Sequence, residues 1–419
     1  MKGKSVLASL TVLLLVFFCL TSAFGGGQKG VDAVKKDVYN IGFISSLTGS
    51  YSVEALDQQR GALFAVEQIN AAGGLLGRQL VMYSRDDEAR AETGIRKADE
   101  LKSKYNIIFA CGGVSGLVSG AMGPWAARNQ IPWGDAAAMF TATGARDFVS
   151  SGYFYTTGVS LFSNVNILGD IAFNKLGCKK VYLLGVDYAF GWGIAETVEA
   201  VVPRYGAAVV AKDFLPLGTT EFGPIMAKIK ASGADSVFLA NFGGDQIAAL
   251  KAIQAFGLKE NVKIFSTIAT ASIAKGAGPQ AAEGVYFVLP YYKDSPIAEW
   301  KTFREAFLSR FDIEPGSYGT FAYNAVKMFA RAMEGAGTTD FAKAGPWLMK
   351  NADFVGPAGK MRMMDVARTM MQDQTVVQGK APKDITGEED VFSVLYTIGY
   401  SDDESYQDIP PSIKKKMGY

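Results

Sequence analysis

Three short segments hold the residue types that could bind or transform a small molecule. The first is Gly112-Gly113-Val114-Ser115-Gly116, which lies between a strand pattern and a helix pattern. Small residues there let the backbone approach a ligand, and the free amides of a helix start favour an anion. On the residues alone Ser115 reads as the helix N-cap. The second segment is Val186-Asp187-Tyr188-Ala189-Phe190-Gly191-Trp192-Gly193. Asp187 ends a strand there and could take an ammonium or a hydroxyl, or cap the next helix, while Trp192 reads equally as wall or core. Asn241-Phe242-Gly243-Gly244-Asp245 is the third, again at a strand end.

The same inventory excludes most catalysis. The 419 residues include no histidine, which eliminates Ser-His-Asp and Cys-His chemistry and removes the usual ligand of zinc and haem sites. Gly359-Lys360 and Gly379-Lys380 lack the spacing and hydroxyl of a P-loop, and no Gly-x-Gly-x-x-Gly follows a strand. Gly113-Val114-Ser115-Gly116-Leu117 misses the nucleophile elbow at its last residue, and paired acids such as Asp86-Asp87 are common on solvated turns and carry little weight. No catalytic residue, metal site or cofactor is expected. A hydrolase working through carboxylates alone is the enzymatic alternative.

Chain length allows two lobes with separate cores, since single cores stop growing near about 250 to 300 residues. The net charge of +1 carries no footprint for nucleic acid or an anionic surface, so a neutral solute, a zwitterion or a single acid fits better. Lys2 and Lys4, an apolar run from Val6 to Leu20 and small residues around Ser22, Ala23 and Gly25 read as a secretory signal over residues 1–25. An uncleaved anchor is the alternative; a lipid on Cys19 is disfavoured by the bulky Phe18 before it. Without the signal only Cys111 and Cys178 remain, which excludes a disulfide framework and reads better as two buried small residues.

The elements that must position these segments alternate in type. Val38 to Ile44 reads as a strand, Gly61 to Ile69 carries helical spacing, and Leu80 to Tyr83 resumes extended structure, which is a βαβ unit. Strands follow at Asn106–Ala110, Ile131–Trp133 and Tyr153–Thr157. The alternation then restarts with strands at Lys180–Val186, Ala208–Phe214, Ser236–Leu239 and Lys263–Ser266. Helices near Ala298–Phe311 and Tyr318–Glu334 come later. Val391 to Ile398 is an apolar stretch expected to dock on a lobe, and Lys414-Lys415-Lys416 a solvated end.

Particular words in the first unit carry a family resemblance. Leu47-Thr48-Gly49, Gly61-Ala62, Ala65 to Asn70, Gly73-Gly74-Leu75-Leu76-Gly77-Arg78 and Asp86-Asp87 resemble the type I periplasmic solute-binding proteins of ABC importers, in their branched-chain amino-acid-binding (LivJ-like) group. The resemblance covers nearly the whole chain after the signal and weakens beyond about Lys380. It implies an α/β fold of two lobes, each a mostly parallel sheet with helices on both faces, joined by a three-segment hinge. The implied lobes are residues 38–157 plus 287–352 and residues 158–286 plus 353–419, with the third crossing near Asp353–Ala358.

Site roles follow from the resemblance alone. A serine at Ser115, beside Gly116, would donate to a ligand carboxylate, and backbone amides of Ala137, Ala138 and Met139 would complete that site. Met139 falls where the family places a threonine hydroxyl, a departure that weakens acid binding by about 1 kcal/mol or more. Phe190 and Phe242 match ligand-covering aromatics, with Tyr51 a third wall. Ile268 falls where amino-acid-binding members place an acid for the ligand ammonium. Either Asp187, Glu54 or Asp245 substitutes, or the ligand is a non-amino acid, aromatic ones included. The implied function is a periplasmic protein that binds a small carboxylate-bearing solute between its lobes and delivers it to an inner-membrane ABC permease, with no nucleic acid. A ligand-sensing subunit for a membrane receptor is the alternative.

Overall fold

The computed structural model describes residues 38–137, 151–158, 160–268, 270–364 and 368–399. The expected signal and Lys414–Lys416 lie outside these residues. Five parallel strands make the first sheet: β1 (Val38–Ser45), β2 (Gln79–Asp86), β3 (Ala110–Gly112), β4 (Trp133–Asp135) and β5 (Phe154–Thr156), in the order β2-β1-β3-β4-β5. Their connections are α1 (Ser52–Ala71), α2 (Ala91–Tyr105) and α3 (Gly116–Asn129). Alternation along β1 sends Phe43 to one face, with Phe64 and Phe329, and Ile44 to the other, with Leu101, Trp125 and Trp133. Both faces are therefore covered, as a parallel sheet requires.

The third strand begins at Ala110, four residues after the start expected at Asn106. Asn106 adopts a left-handed conformation (φ 50°) that ends α2, so the chain is still turning where the run begins.

The second lobe opens with α4 (Leu161–Gly169) and builds a sheet from β6 (Lys180–Val186), β7 (Ala208–Leu215), β8 (Ser236–Ala240), β9 (Lys263–Ser266) and β10 (Tyr286–Leu289). Its helices are α5 (Ala189–Val201), α6 (Gly223–Ser232), α7 (Gly243–Ala255), α8 (Ala271–Ala277) and α9 (Pro279–Ala282). The chain returns to the first lobe with α10 (Ala298–Phe311), α11 (Ser317–Ala336) and α12 (Phe341–Lys350), whose Trp300, Phe321 and Phe341 join the core beside β1. Helices α1 and α11 approach closely at two glycines. A Cβ on Gly61 would lie 1.7 Å from the Gly319 carbonyl oxygen.

The third crossing differs from the expectation. Strands β11 (Asp353–Gly356), β12 (Gly359–Met363) and β13 (Met370–Gln372) form a small antiparallel sheet of their own, and Met361, Met363 and Met370 belong to the first-lobe core. The chain passes to the second sheet only between Gln372 and Gln374. The reason is local: Gly356 pairs with Gly359 across Pro357-Ala358, and Gly359 takes φ 74°, so Asp353–Ala358 folds back as a hairpin. Strand β14 (Gln374–Gly379) then runs antiparallel to β10, and β15 (Phe392–Ile398), the apolar stretch of the tail, pairs antiparallel with β14 at the sheet edge.

Candidate functional site

The carboxyl ends of both sheets supply the candidate residues. In the first lobe β3 runs into Gly112 (φ 132°) and Gly113 (φ 76°), and a Cβ on Gly112 would sit 2.0 Å from the Ile44 carbonyl oxygen. Only glycine permits that turn, and it aims the following residues at the strand ends. Ser115 occupies the N-cap of α3, yet its side chain makes no cap bond, and its hydroxyl has no partner among the described residues although the residue is only 5% exposed. Gly116 follows at the exposed first helical position, with open space where a Cβ would be.

A buried polar scaffold ties these loops together. Ser45 Oγ donates to Gln58 Oε1 at 2.6 Å and accepts from the Val114 amide at 3.3 Å, while Gln58 Nε2 donates to the Ala136 carbonyl at 2.7 Å. Next to it Asp135 is buried, accepting from Ser119 Oγ at 2.6 Å and from the Ala137 amide, and burial pushes its carboxyl up to about 7. The Ala137 amide, expected to face a ligand carboxylate, is thus engaged by Asp135, and the Ala137 side chain packs in the core. Ala138 and Met139 lie outside the described residues.

In the second lobe Asp187 is exposed, and its carboxylate accepts from Trp192 Nε1 at 3.0 Å. Tyr188, not Asp187, occupies the N-cap of α5, and Trp192 is 52% exposed and not part of the core. Phe190 lies 6.0 Å from the Tyr188 ring. Phe242 takes the N-cap position of α7. Ile268 is buried with Leu161, Val165 and Phe265 in the core, and its carbonyl accepts from Gln246 Nε2 at 3.0 Å.

The two lobes meet through aromatic rings. Phe242 stacks on Tyr51 at 6.4 Å between centroids and packs against Tyr318 at 5.5 Å. Tyr188 brings its hydroxyl to that of Tyr51, and Ser272 Oγ donates to Glu54 Oε1 at 3.1 Å. Burial raises the Glu54 carboxyl, and the Tyr318 hydroxyl is raised well above its ordinary value, chiefly by burial and then by the charges of Glu54 and Asp135. Beside Glu54 opens a cavity of about 200 Å³ whose wall includes Tyr318, Thr270, Ser272 and Tyr291.

Of the expected residues, Tyr51, Phe242 and, through Tyr188, Phe190 come together across the lobes. Asp187 stands apart at an exposed strand end, and Ile268 lies in the core. Tyr188, Tyr318 and Ser272 escaped the sequence reading. Tyr188 adjoined the flagged Asp187, whereas Tyr318 and Ser272 had no motif to mark them, because the first opens a helix distant in sequence and the second follows a loop. Among the described residues no group of three or more His, Cys, Asp or Glu could hold a metal, and no helix is long and apolar enough to cross a membrane.

Comparison with known proteins bears on this geometry. The sequence pattern of the family described as periplasmic binding protein matches residues 38–384. An amino acid binding protein of Pseudomonas aeruginosa is 28% identical over 313 residues, covering 74% of this chain and 81% of its own length. A solute-binding protein of an ABC transporter from R. palustris, solved in complex with benzoate, superposes with a TM-score of 0.74 at 21% identity, covering 86% of this chain and 96% of that one. The branched-chain amino acid transporter substrate-binding protein LivJ from Streptococcus pneumoniae, solved with isoleucine, gives 0.73 at 20% identity, covering 86% and 99%.

Proposed function

Because the chain belongs to this periplasmic binding protein family, we propose that it receives a small carboxylate-bearing solute between its lobes and hands it to an inner-membrane ABC permease. The observation that carries the reading is the meeting of Tyr51 and Tyr318 from one lobe with Phe242 and Tyr188 from the other at the strand ends. Such rings cover an apolar body, and the unpartnered Ser115 hydroxyl at the start of α3 suits the anionic end. A solute held by both walls favours the closed arrangement of the lobes over any open one. Amino acids and aromatic acids are the two candidate classes, since relatives and structural neighbours of this chain are described with each.

Isothermal titration against amino acids and aromatic acids tests the pocket. Ser115→Ala should weaken the bound compound by about tenfold or more, the worth of one hydrogen bond to a charged group. Unchanged affinity in that variant would remove Ser115 from the site. Uptake of the same labelled compound by cells with and without the protein tests delivery.

A further inference from the structure

Ser119 has one hydroxyl hydrogen and two acceptors within reach. Its Oγ lies 2.6 Å from Asp135 Oδ1 and 3.1 Å from the Gly113 carbonyl oxygen. Ser119 and Asp135 are each 1% exposed, and the buried Gly113 has no other donor to its carbonyl among the described residues. Both contacts are hydrogen bonds only if the carboxyl carries a proton, which it donates to Ser119 Oγ while the serine hydrogen goes to Gly113. An ionised carboxylate takes that hydrogen for itself. The Gly113 carbonyl is then left orphaned, a cost that buried backbone rarely bears.

No cation faces Asp135 to offset a charge there. The neighbouring strand β3 ends in Gly112, the first crossing brings Thr157, whose amide donates to the Asp135 backbone carbonyl, and α3 carries its one cation, Arg128, in its last turn. From α11 the titratable group is Tyr318, on which the charge of Asp135 acts together with that of Glu54 from α1. Burial among neutral partners accordingly pushes the Asp135 carboxyl up to about 7. What stands above this proton gives it a use. Ser115 and Ser119, four residues apart, share one face of α3 with about 6 Å of helix rise between them. A solute carboxylate at Ser115 and an ionised Asp135 would be two anions about a helical turn apart. At an effective dielectric of about 20 their repulsion weakens binding by about a hundredfold.

We propose that the solute carboxylate and the proton of Asp135 bind together, so that loading takes up a proton and weakens as the pH rises above neutrality. The inference rests on the Ser115 end of the cleft receiving a carboxylate. Asp135 is a positioning residue here, acting through its charge and, by way of Ser119, through the Gly113 loop that leads into Ser115.

Titration calorimetry with benzoate and with L-isoleucine tests it. Affinity is read at pH 6 and pH 8 in phosphate, and the heats at pH 8 are compared between phosphate and Tris, whose different ionisation enthalpies reveal the protons exchanged. For whichever compound binds, the parent should lose about tenfold in affinity between pH 6 and pH 8 and take up about 0.8 proton at pH 8. Asp135→Asn, whose neutral amide stands in for the protonated acid, should keep its affinity within about threefold across that range, with little proton uptake. The difference between the two proteins cancels titration of the compound and of Glu54, Asp57 and Asp87, the other carboxyls raised by burial. If Asp135→Asn does not fold, infrared difference spectra of the parent at pH 8 decide, since adding the compound should raise the carbonyl band of a protonated carboxyl. Equal binding at both pH values without proton uptake, a variant that keeps the parent's pH slope, or the absence of that band overturns the proposal. If Ser115→Ala still weakens binding in that case, the solute site stands and only the proton linkage falls. If neither compound binds at either pH, the reading of the cleft falls and the proposal with it.

Discussion

Asp135 should make this protein less stable as the pH rises through neutrality, a direction opposite to that of most paired carboxylates. Its carboxyl is buried and neutral-partnered, and its value moves from the ordinary 3.8 to about 7. The folded state therefore keeps a proton that the unfolded state releases. Between about pH 4 and pH 7 the unfolded state binds fewer protons, so unfolding free energy falls with pH, then levels off once both states are ionised. A span of about 3 pH units at about 1.4 kcal/mol each gives a loss of roughly 4 kcal/mol. Asp135→Asn keeps an acceptor for Ser119 Oγ and the Ala137 amide and cannot ionise. Urea midpoints measured at pH 5 and pH 8 should show the variant gaining on the parent by about 3 kcal/mol at the higher pH, the part of the loss that falls between pH 5 and pH 7. Because Glu54, Asp57 and Asp87 are also raised by burial, only the difference between the two proteins reports on Asp135. Parallel pH profiles would refute the argument.

Other expectations follow from single contacts. Gly61→Ala drives a methyl into the Gly319 carbonyl and should cost about 3 kcal/mol or more by denaturant titration, because two packed helices must separate; a loss under about 0.5 kcal/mol would show that they give way freely. A double-mutant cycle on Tyr51→Ala and Phe242→Ala should return a coupling of about 0.5–1.5 kcal/mol, and strict additivity would remove the ring contact between the lobes. Burial pushes the Cys111 and Cys178 thiols up to about 12 and 11, so peptide mapping after native alkylation at pH 8 should find both unmodified. Hydrogen bonding from Lys380, with Thr386 and Lys293, holds the Asp390 carboxyl below the usual carboxylate range. The stability it contributes is present above the ordinary 3.8 and lost as pH falls through the lowered folded value, so Asp390→Asn should speed hydrogen exchange over residues 380–392 at pH 7, where the parent stays protected.

Local pattern made the strands and the parallel character of the two sheets legible, because apolar runs bounded by glycine and asparagine coincide with buried strands, whereas the strand order had no mark in it. Val38–Ile44 and Lys180–Val186 each appear as read or one residue longer. The third crossing was not legible from the resemblance, since a hairpin closed by Gly356 and Gly359 depends on a turn conformation that strand counting ignores. At the site, residues flagged by their place after a strand were found at strand ends, including Ser115, Asp187 and Phe242. Their engagement was a different matter. Whether the Ala137 amide faces outward is decided by Asp135, two residues away in a buried loop, and the position of Tyr318 is decided by how α11 packs on α1. Both are tertiary outcomes with no mark in the local sequence.

The three crossings meet in a buried polar knot that limits how the lobes can move. Gln372 Nε2 donates to the Gly158 carbonyl at 3.3 Å, Tyr291 Oη donates to Gln372 Oε1 at 2.7 Å, and Asn324 Nδ2 donates to Tyr291 Oη at 3.0 Å. Gly158 belongs to the first crossing, Tyr291 to the second and Gln372 to the third, while Asn324 sits on α11 of the first lobe. Breaking any of these bonds would strand a buried donor or acceptor, at about 1–3 kcal/mol each. The knot therefore ties all three crossings to one another and to α11. On the side of the second sheet Gln374 Nε2 donates to the Gln372 carbonyl at 3.3 Å, while Gln374 Oε1 and Thr375 Oγ1 are buried without partners among the described residues. Separation of the lobes at the strand ends would part Phe242 from Tyr51 and Ser272 from Glu54, whereas the scaffold of Ser45, Gln58 and Asp135 lies wholly within the first lobe and would not be broken by it.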